Sequence, residues 1–339
     1  MESNNRIGLS KNDYVGKPST LCKGCGHDSI TNAITQAYFE LGVPPYEVAK
    51  FSGIGCSSKT PAYFIDRAHG FNGVHGRMPS VATGAKLANR RLTIIGVSGD
   101  GDTASIGLGH FCHSARRNVD MTYIIENNGT YGLTKGQFSA TSDTGSKNKR
   151  GVPNIWPVID CCVLAIELGA SFVARSFSGD RKQVISLLKA AYSHKGFALL
   201  DIISPCVTFN NHDGSTKSYT FCKEHDVPLQ ELGYVPAAEN IHVEMKEGEV
   251  RDIELHDGSH LTLKKLDREY DPSSKMGAFH AIEEARKSHT LLTGLLYINP
   301  LQKDLDSILN LTDTPLISLG ENELVPGAEV LKKINQSLK

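Results

Sequence analysis

Two nearly continuous apolar runs, Leu92-Thr93-Ile94-Ile95-Gly96-Val97-Ser98 and Met121-Thr122-Tyr123-Ile124-Ile125, each stop at a polar, glycine-bearing turn. Neither run alternates, so each must bury both of its faces, as a strand does inside a parallel sheet. Residues 106–117 between them have the length and apolar spacing of a helix, which makes a βαβ unit. The same reading predicts helices over 29–41, 80–89 and 181–194 and strands over 170–176 and 197–203. In the first of these helices Ile30, Ala33, Ile34, Ala37, Tyr38 and Leu41 form the stripe, and Gly42, Pro44 and Pro45 stop it. Strands alternating with helices imply an α/β fold with a doubly wound, mostly parallel sheet.

Lys and Arg total 36 against 37 Asp and Glu, so no basic field exists to attract nucleic acid. No apolar run approaches the ~18 residues of a membrane span. Met1-Glu2-Ser3-Asn4-Asn5-Arg6 leads into no apolar signal region, so a cytoplasmic, membrane-free protein is expected. In such a reducing compartment the eight cysteines do not make a disulfide framework, and metal binding or catalysis is the alternative. Residues 1–20 read as a polar arm with a frayed terminus, 21–225 as the core domain, and 226–339 as an extension serving an interface. Within the extension, 250–255 and 261–266 flank Asp257-Gly258, a two-residue turn signal that predicts a β-hairpin.

The first apolar strand runs into Gly99-Asp100-Gly101-Asp102 and the second into Glu126-Asn127-Asn128-Gly129-Thr130-Tyr131-Gly132. Ligands of open parallel sheets bind beyond the carboxyl ends of the strands, where both turns fall. A carboxylate on one loop and an amide oxygen on the next are hard ligands suited to Mg²⁺, which completes its shell with phosphate and water. Either turn alone is an ordinary βα connection. Their pairing across 25 residues, from Gly101 to Asn127, favours a site.

Cys22-Lys23-Gly24-Cys25-Gly26-His27 adds a CxxC, which fits a zinc half-site, a redox pair or half of a cluster site. Zinc would want a second CxxC, and a thioredoxin-type pair would want a preceding strand; neither is present. Two further thiols stand beyond apparent strand ends: Cys56 in Gly53-Ile54-Gly55-Cys56-Ser57-Ser58 and Cys206 in Ser204-Pro205-Cys206. Cys112, Cys161 and Cys162 fall in apolar helical stretches and read as buried structural thiols. Cys222 reads as a loop residue without a role. His110 and His113, one turn apart, lack a third ligand for a metal.

The Gly-Asp-Gly to Asn-Asn pair resembles the thiamin diphosphate motif. Together with Cys22–His27, Gly53–Ser58, His75-Gly76-Arg77, Ala82-Thr83-Gly84-Ala85-Lys86, Asn127–Gly136 and Ser204-Pro205-Cys206, it resembles the β subunit of a 2-oxoacid:ferredoxin oxidoreductase. The resemblance covers most of 19–225, and more loosely the extended bacterial form beyond. Departures are Lys23 in place of a usual Pro, and Ala140 in place of a common Pro.

This resemblance implies a thiamin diphosphate-binding fold. Asp100, the Asn128 side chain and the Thr130 carbonyl would hold Mg²⁺. Ile54, Gly55, Cys56, Ser57, His75, Gly101, Asp102, Gly132 and Leu133 would touch the cofactor, and Cys22, Cys25, Cys56 and Cys206 would bind one [4Fe–4S] cluster. Lys59, Arg77 and His75 are the candidates for meeting the substrate. The implied reaction is CoA-dependent oxidative decarboxylation of a 2-oxoacid, best matched by 2-oxoglutarate giving succinyl-CoA and CO₂, with electrons leaving for ferredoxin. Pyruvate or a broad 2-oxoacid range is the alternative substrate choice. The glutamate that activates thiamin's aminopyrimidine has no recognisable block here, so an α subunit in an αβ or (αβ)₂ assembly is implied. Two readings from other classes stay open: a nonoxidative thiamin decarboxylase or synthase, and an iron–sulfur electron-transfer subunit with a vestigial thiamin site.

Overall fold

The computed structural model describes residues 4–148, 150–233, 250–254, 260–264, 270–325 and 327–338. Helix α1 (Gly26–Leu41) leads to strands β1 (Val48–Ser52) and β2 (His69–Asn72). Then follow α2 (Met78–Ala88), β3 (Thr93–Gly99), α3 (Leu108–Arg116) and β4 (Met121–Asn127). Two short strands, β5 (Thr130–Tyr131) and β6 (Gln137–Phe138), pair antiparallel just beyond β4. The sheet resumes through α4 (Cys161–Leu168), β7 (Phe172–Phe177), α5 (Arg181–Ser193) and β8 (Phe197–Ile203). Beyond it come α6 (Tyr219–His225), β9 (Asp226–Pro228), β10 (Val250–Glu254), β11 (His260–Lys264), α7 (Lys275–Lys287) and β12 (Leu291–Ile298).

Eight strands form one sheet in the order β2-β1-β3-β4-β8-β7-β12-β9, and only the β12–β7 pairing is antiparallel. The core lies on both faces of it. On one, Ile30, Ile34 and Tyr38 of α1 pack with Val184, Leu187 and Leu188 of α5 against Val48, Ile95, Val97 and Ile124. On the other, Met78, Phe111, Cys162 and Ile282 bring α2, α3, α4 and α7 over Phe51, Tyr123 and Leu199. β4 and β8 are buried along their whole length, including Glu126 and Asn127 at the end of β4 and Asp201 within β8. Asp160 and Asp180 cap α4 and α5 by accepting backbone N–H groups, which starts each helix where the chain leaves a loop.

Three expectations change. The arm is not frayed from Asn4 onward: Tyr14 is fully buried in the core, its hydroxyl donating to Val43 O at 2.8 Å. The chain beyond 225 does not stand apart, because β12 and β9 complete the main sheet. Its hairpin strands do pair, Val250 opposite Lys264 and Glu254 opposite His260, while the Asp257-Gly258 turn lies outside the described residues. Cys222 sits buried in α6 rather than in a loop. Cys112 is half-buried within α3, and Cys161 and Cys162 are in the core, as expected. Among the described residues no helix is long and apolar enough to cross a membrane.

Strands β1 and β2 escape the sequence pattern. Lys50 interrupts β1, yet it is buried there, its ammonium donating to Pro61 O, Phe64 O and Ile65 O at 2.8, 2.7 and 2.7 Å. Burial draws its pKa down to about 8, so it still carries its proton at neutral pH. Pro61 O and Phe64 O have no other described donor, whereas Ile65 O also accepts from Ala68 N at 3.0 Å. Lys50→Met is therefore expected to cost about 2–4 kcal/mol in urea unfolding, since it strands the first two carbonyls in the interior.

Candidate functional site

The loop after β3 begins at Asp100, whose carboxylate is buried beneath the carboxyl edge of the sheet. Its Oδ2 accepts from the hydroxyls of Ser139 and Thr141, the latter at 2.6 Å, and its Oδ1 accepts from Asn128 N at 3.3 Å. Burial raises the Asp100 pKa, and these hydrogen bonds oppose the rise. Asn128 Oδ1 accepts from Thr130 N at 3.0 Å, a local turn that fixes the amide beside the carboxylate. The β3 and β4 loops thus bring Asp100, Asn128 and Thr130 together. They share one cleft with Ile54, Gly55, Cys56, Ser57, His75, Gly101, Asp102, Gly132 and Leu133. The cleft is small, about 40 Å³, and its rim is open.

Asp102 knots the loops around it. Its carboxylate accepts from His75 Nδ1 (2.6 Å), Gly76 N (2.9 Å), Ile54 N (3.3 Å) and Ser98 Oγ (2.8 Å). A side chain at Gly53 would put its Cβ 1.9 Å from Asp102 Oδ2, so only glycine allows the β1 loop to close over this carboxylate. Tyr131 reaches back to donate to Gly101 O at 2.9 Å and lies flat against the Gly101 Cα, where a Cβ would meet its ring at 2.5 Å.

The four predicted cluster thiols converge as well. Cys22 and Cys25 precede α1, Cys56 follows β1, and Cys206 follows β8; all four line one cavity of about 200 Å³ with Lys59, Val207, Thr208 and Phe209. Burial pushes the Cys25 thiol up to about 12 and raises that of Cys56. Among the described residues no three of these sulfurs approach one another within 4.8 Å. A single zinc ion would draw them to about 2.3 Å from one point. Four thiols lining one cavity match in number the ligands that a [4Fe–4S] cluster takes. A Cβ on Gly132 would lie 3.5 Å from Cys56 Sγ and 3.6 Å from Cys206 Sγ, so glycine keeps that space open.

The two cavities share a wall made of His27, Cys56, Asn128, Gly132 and Leu133. His27 is buried, hydrogen-bonded through Nδ1 to Ser204 Oγ at 2.6 Å, and burial draws its pKa down to about 4, so the ring is neutral. Glu126 Oε2 lies 3.7 Å from the same ring, with its carboxyl fully buried and its acidity strongly suppressed by burial. Lys59 is in the cysteine cavity wall, whereas Arg77 is exposed beside His75, contacts its carbonyl at 3.4 Å, and is in neither wall. His110 pairs with the Ser80 hydroxyl, and no metal group forms around it among the described residues. Lys23 is exposed.

Sequence reasoning passed over Ser139, Thr141, Glu126 and the buried role of His27. Ser139 and Thr141 stand 39 and 41 residues from the carboxylate they serve, so no local spacing links them. His27 was visible within the CxxCGH stretch, but only the fold puts it between the two cavities.

Residues 53–202 match the family model described as "Thiamine pyrophosphate enzyme, C-terminal TPP binding domain". The 2-oxoglutarate synthase subunit KorB of Methanocaldococcus jannaschii is 36% identical over 243 residues, covering 70% of this chain and 88% of that protein. The chain belongs to the β subunits of the 2-oxoacid:ferredoxin oxidoreductases. The 2-oxoacid:ferredoxin oxidoreductase subunit beta of a Sulfolobus species is 47% identical over 199 residues, 58% of this chain; that match spans 65% of the Sulfolobus protein's length. Among solved structures, this β subunit superimposes on the 2-oxoglutarate:ferredoxin oxidoreductase from Magnetococcus marinus, solved with 2-oxoglutarate, coenzyme A and succinyl-CoA bound. The TM-score is 0.74 at 31% identity, over 98% of this chain and 96% of that one. The thiamin-binding α/β fold expected from the two loop motifs is therefore the fold of the β subunit.

Proposed function

We propose that this β subunit carries thiamin diphosphate, Mg²⁺ and one [4Fe–4S] cluster in a 2-oxoglutarate:ferredoxin oxidoreductase, which converts 2-oxoglutarate and CoA to succinyl-CoA and CO₂. One observation carries the reading: the four-cysteine cavity and the Asp100–Asn128 cleft have a wall in common. When bound, the thiazolium supplies decarboxylation chemistry and the cluster a one-electron outlet that a simple decarboxylase lacks.

The chain's own groups would bind and orient. Asp100, the Asn128 amide and the Thr130 carbonyl supply hard oxygens for Mg²⁺ and offset the diphosphate's charge through it. Ser139 and Thr141 hold the Asp100 carboxylate in one orientation by donating to it. Cys22, Cys25, Cys56 and Cys206 supply the four thiolates. His75, fixed by Asp102, faces the cofactor cleft together with Ile54–Ser57. Lys59, in the wall next to Cys56, is better placed than exposed Arg77 to meet a substrate carboxylate.

The cleft is open along one rim, where the aminopyrimidine end of the cofactor would extend. Val74 beside His75 and Leu133 in the cleft wall expose apolar surface at that rim, 70% and 47% accessible, which favours an α subunit seated there. Such a partner would bring the activating glutamate that this chain lacks.

The test is 2-oxoglutarate-dependent ferredoxin reduction by the purified chain, alone and recombined with an α subunit, with thiamin diphosphate, Mg²⁺ and CoA. Turnover is expected only from the pair, with kcat/KM higher for 2-oxoglutarate than for pyruvate. Robust turnover by the isolated chain removes the α-subunit requirement, and a colourless, iron-free pair that releases CO₂ returns the nonoxidative reading.

A further inference from the structure

Beyond β12, helix α8 (Leu305–Ile308) brings two carboxylates against the amino end of β4. Asp304 caps this turn, accepting from Ser307 N at 3.2 Å, and Asp306 lies within it. Asp120 immediately precedes β4. One oxygen from each of the three lies within 4.8 Å of the others. Asp304 and Asp306 are buried, 6% and 2% exposed, and Asp120 is partly covered. Like charges this close in a low-dielectric setting repel strongly, so the cluster needs a cation or protons.

The cations at hand are already engaged. Lys86 Nζ donates to Asp120 Oδ2 at 2.7 Å, to Arg90 O at 2.8 Å and to Leu92 O at 3.0 Å. An ammonium has three N–H groups, so none is left for Asp304 or Asp306. Arg90 turns outward to Leu311 O at 2.7 Å and to Asp313 at 3.4 Å. Asp306 Oδ1 is consequently buried with no hydrogen-bond partner. A buried acceptor left bare calls for a partner, either an ion or a water.

We propose that Asp120, Asp304 and Asp306 bind a hard divalent cation that clamps the 303–311 segment onto the amino end of β4. Three carboxylates converging here exceed the one or two by which Mg²⁺ is usually held and suit Ca²⁺, whose shell is built from several carboxylate and carbonyl oxygens. Existing contacts already guide the segment there: Leu305 N donates to Asn118 O at 3.1 Å and Asn118 Nδ2 to Lys303 O at 3.2 Å. The ion would be structural. Seven residues of β4, at about 3.3 Å each, separate it from the Asp100–Asn128 loops at the other edge of the sheet.

The test uses the assembled α–β enzyme, saturated with Mg²⁺ and thiamin diphosphate and then freed of calcium with a calcium-selective chelator. Added Ca²⁺ is expected to raise the Tm by about 5 °C at a hundredfold excess over Kd, and equal free Mg²⁺ by less. Equilibrium dialysis should find one further calcium per β subunit. Asp306→Asn should lose both effects while keeping thiamin diphosphate affinity and turnover. An unchanged calcium response in Asp306→Asn, or no calcium uptake by the wild type, overturns the site. Should Asp306→Asn fail to fold, Asp304→Asn and wild-type dialysis decide the matter in the same way. A magnesium response that equals or exceeds calcium's would overturn the choice of ion.

Discussion

Cys206→Ser in the assembled α–β enzyme is expected to lower ferredoxin reduction by more than about a hundredfold while thiamin diphosphate still binds. A [4Fe–4S] cluster takes four thiolates, and a serine oxygen is a poor substitute for one of them. Cys206 stands beyond β8 and shares the cavity with the thiols that follow β1 and precede α1, so its loss leaves three ligands from two other stretches of chain. Iron and acid-labile sulfide per β subunit should fall together with the visible absorbance. Cys112→Ser provides the contrast: its half-buried thiol lies in α3, packed on the core away from the cavity, and its iron content should stay at the wild-type level. Full iron content in Cys206→Ser would remove this residue from the ligand set.

Asp100→Ala is expected to weaken thiamin diphosphate binding at least about a hundredfold, since it deletes the carboxylate proposed to bind Mg²⁺ directly, where loss of an outer partner alone costs about 10–100-fold. It also strips the acceptor from Ser139, Thr141 and Asn128 N at once. Thr141 Oγ1 still has Asn127 Oδ1 at 3.0 Å and Ser139 Oγ still has Thr141 Oγ1 at 3.1 Å, but Asn128 N is left without its acceptor, which should cost about 1–3 kcal/mol in unfolding. Ser139→Ala tests the outer position: Asp100 keeps its charge and its Thr141 bond, so affinity should fall only about tenfold. Calorimetric titration with thiamin diphosphate and Mg²⁺ separates the three proteins. Near-wild-type affinity in Asp100→Ala would place the metal elsewhere.

The elements that were legible in the sequence are those whose pattern is local. β8 runs over the residues its apolar stretch marks, and β3 and α5 differ by a residue or so from the pattern, because burial on both faces makes most positions of a central strand apolar, with Asp201 in β8 and Ser98 in β3 as buried exceptions. β1 was hidden by Lys50, whose charge is satisfied by three carbonyls that come from a turn more than ten residues away. β2 was hidden for the opposite reason, being an exposed edge strand with no apolar face to announce it. The chain after 225 looked like an appendage because its strands β9 and β12 pair with each other and with β7 across long sequence gaps.

The candidate site divides along the same line. Asp100, Asn128 and the CxxC stood in motifs made of neighbours in sequence, so residue type and spacing marked them as candidates, and the family resemblance is what implied Mg²⁺ for the first two and iron for the thiols. Ser139 and Thr141 under Asp100, Asp102 gathering His75 with the β1 loop, and His27 in the wall between two cavities depend on which strand ends adjoin. That adjacency is set by the order β1-β3-β4-β8 in the sheet, which packing of the helices on both faces selects and no single segment encodes. Sequence therefore determined which atoms could hold a metal, a diphosphate or iron. Tertiary structure decided that they meet, because a parallel sheet delivers loops from distant parts of the chain to one edge.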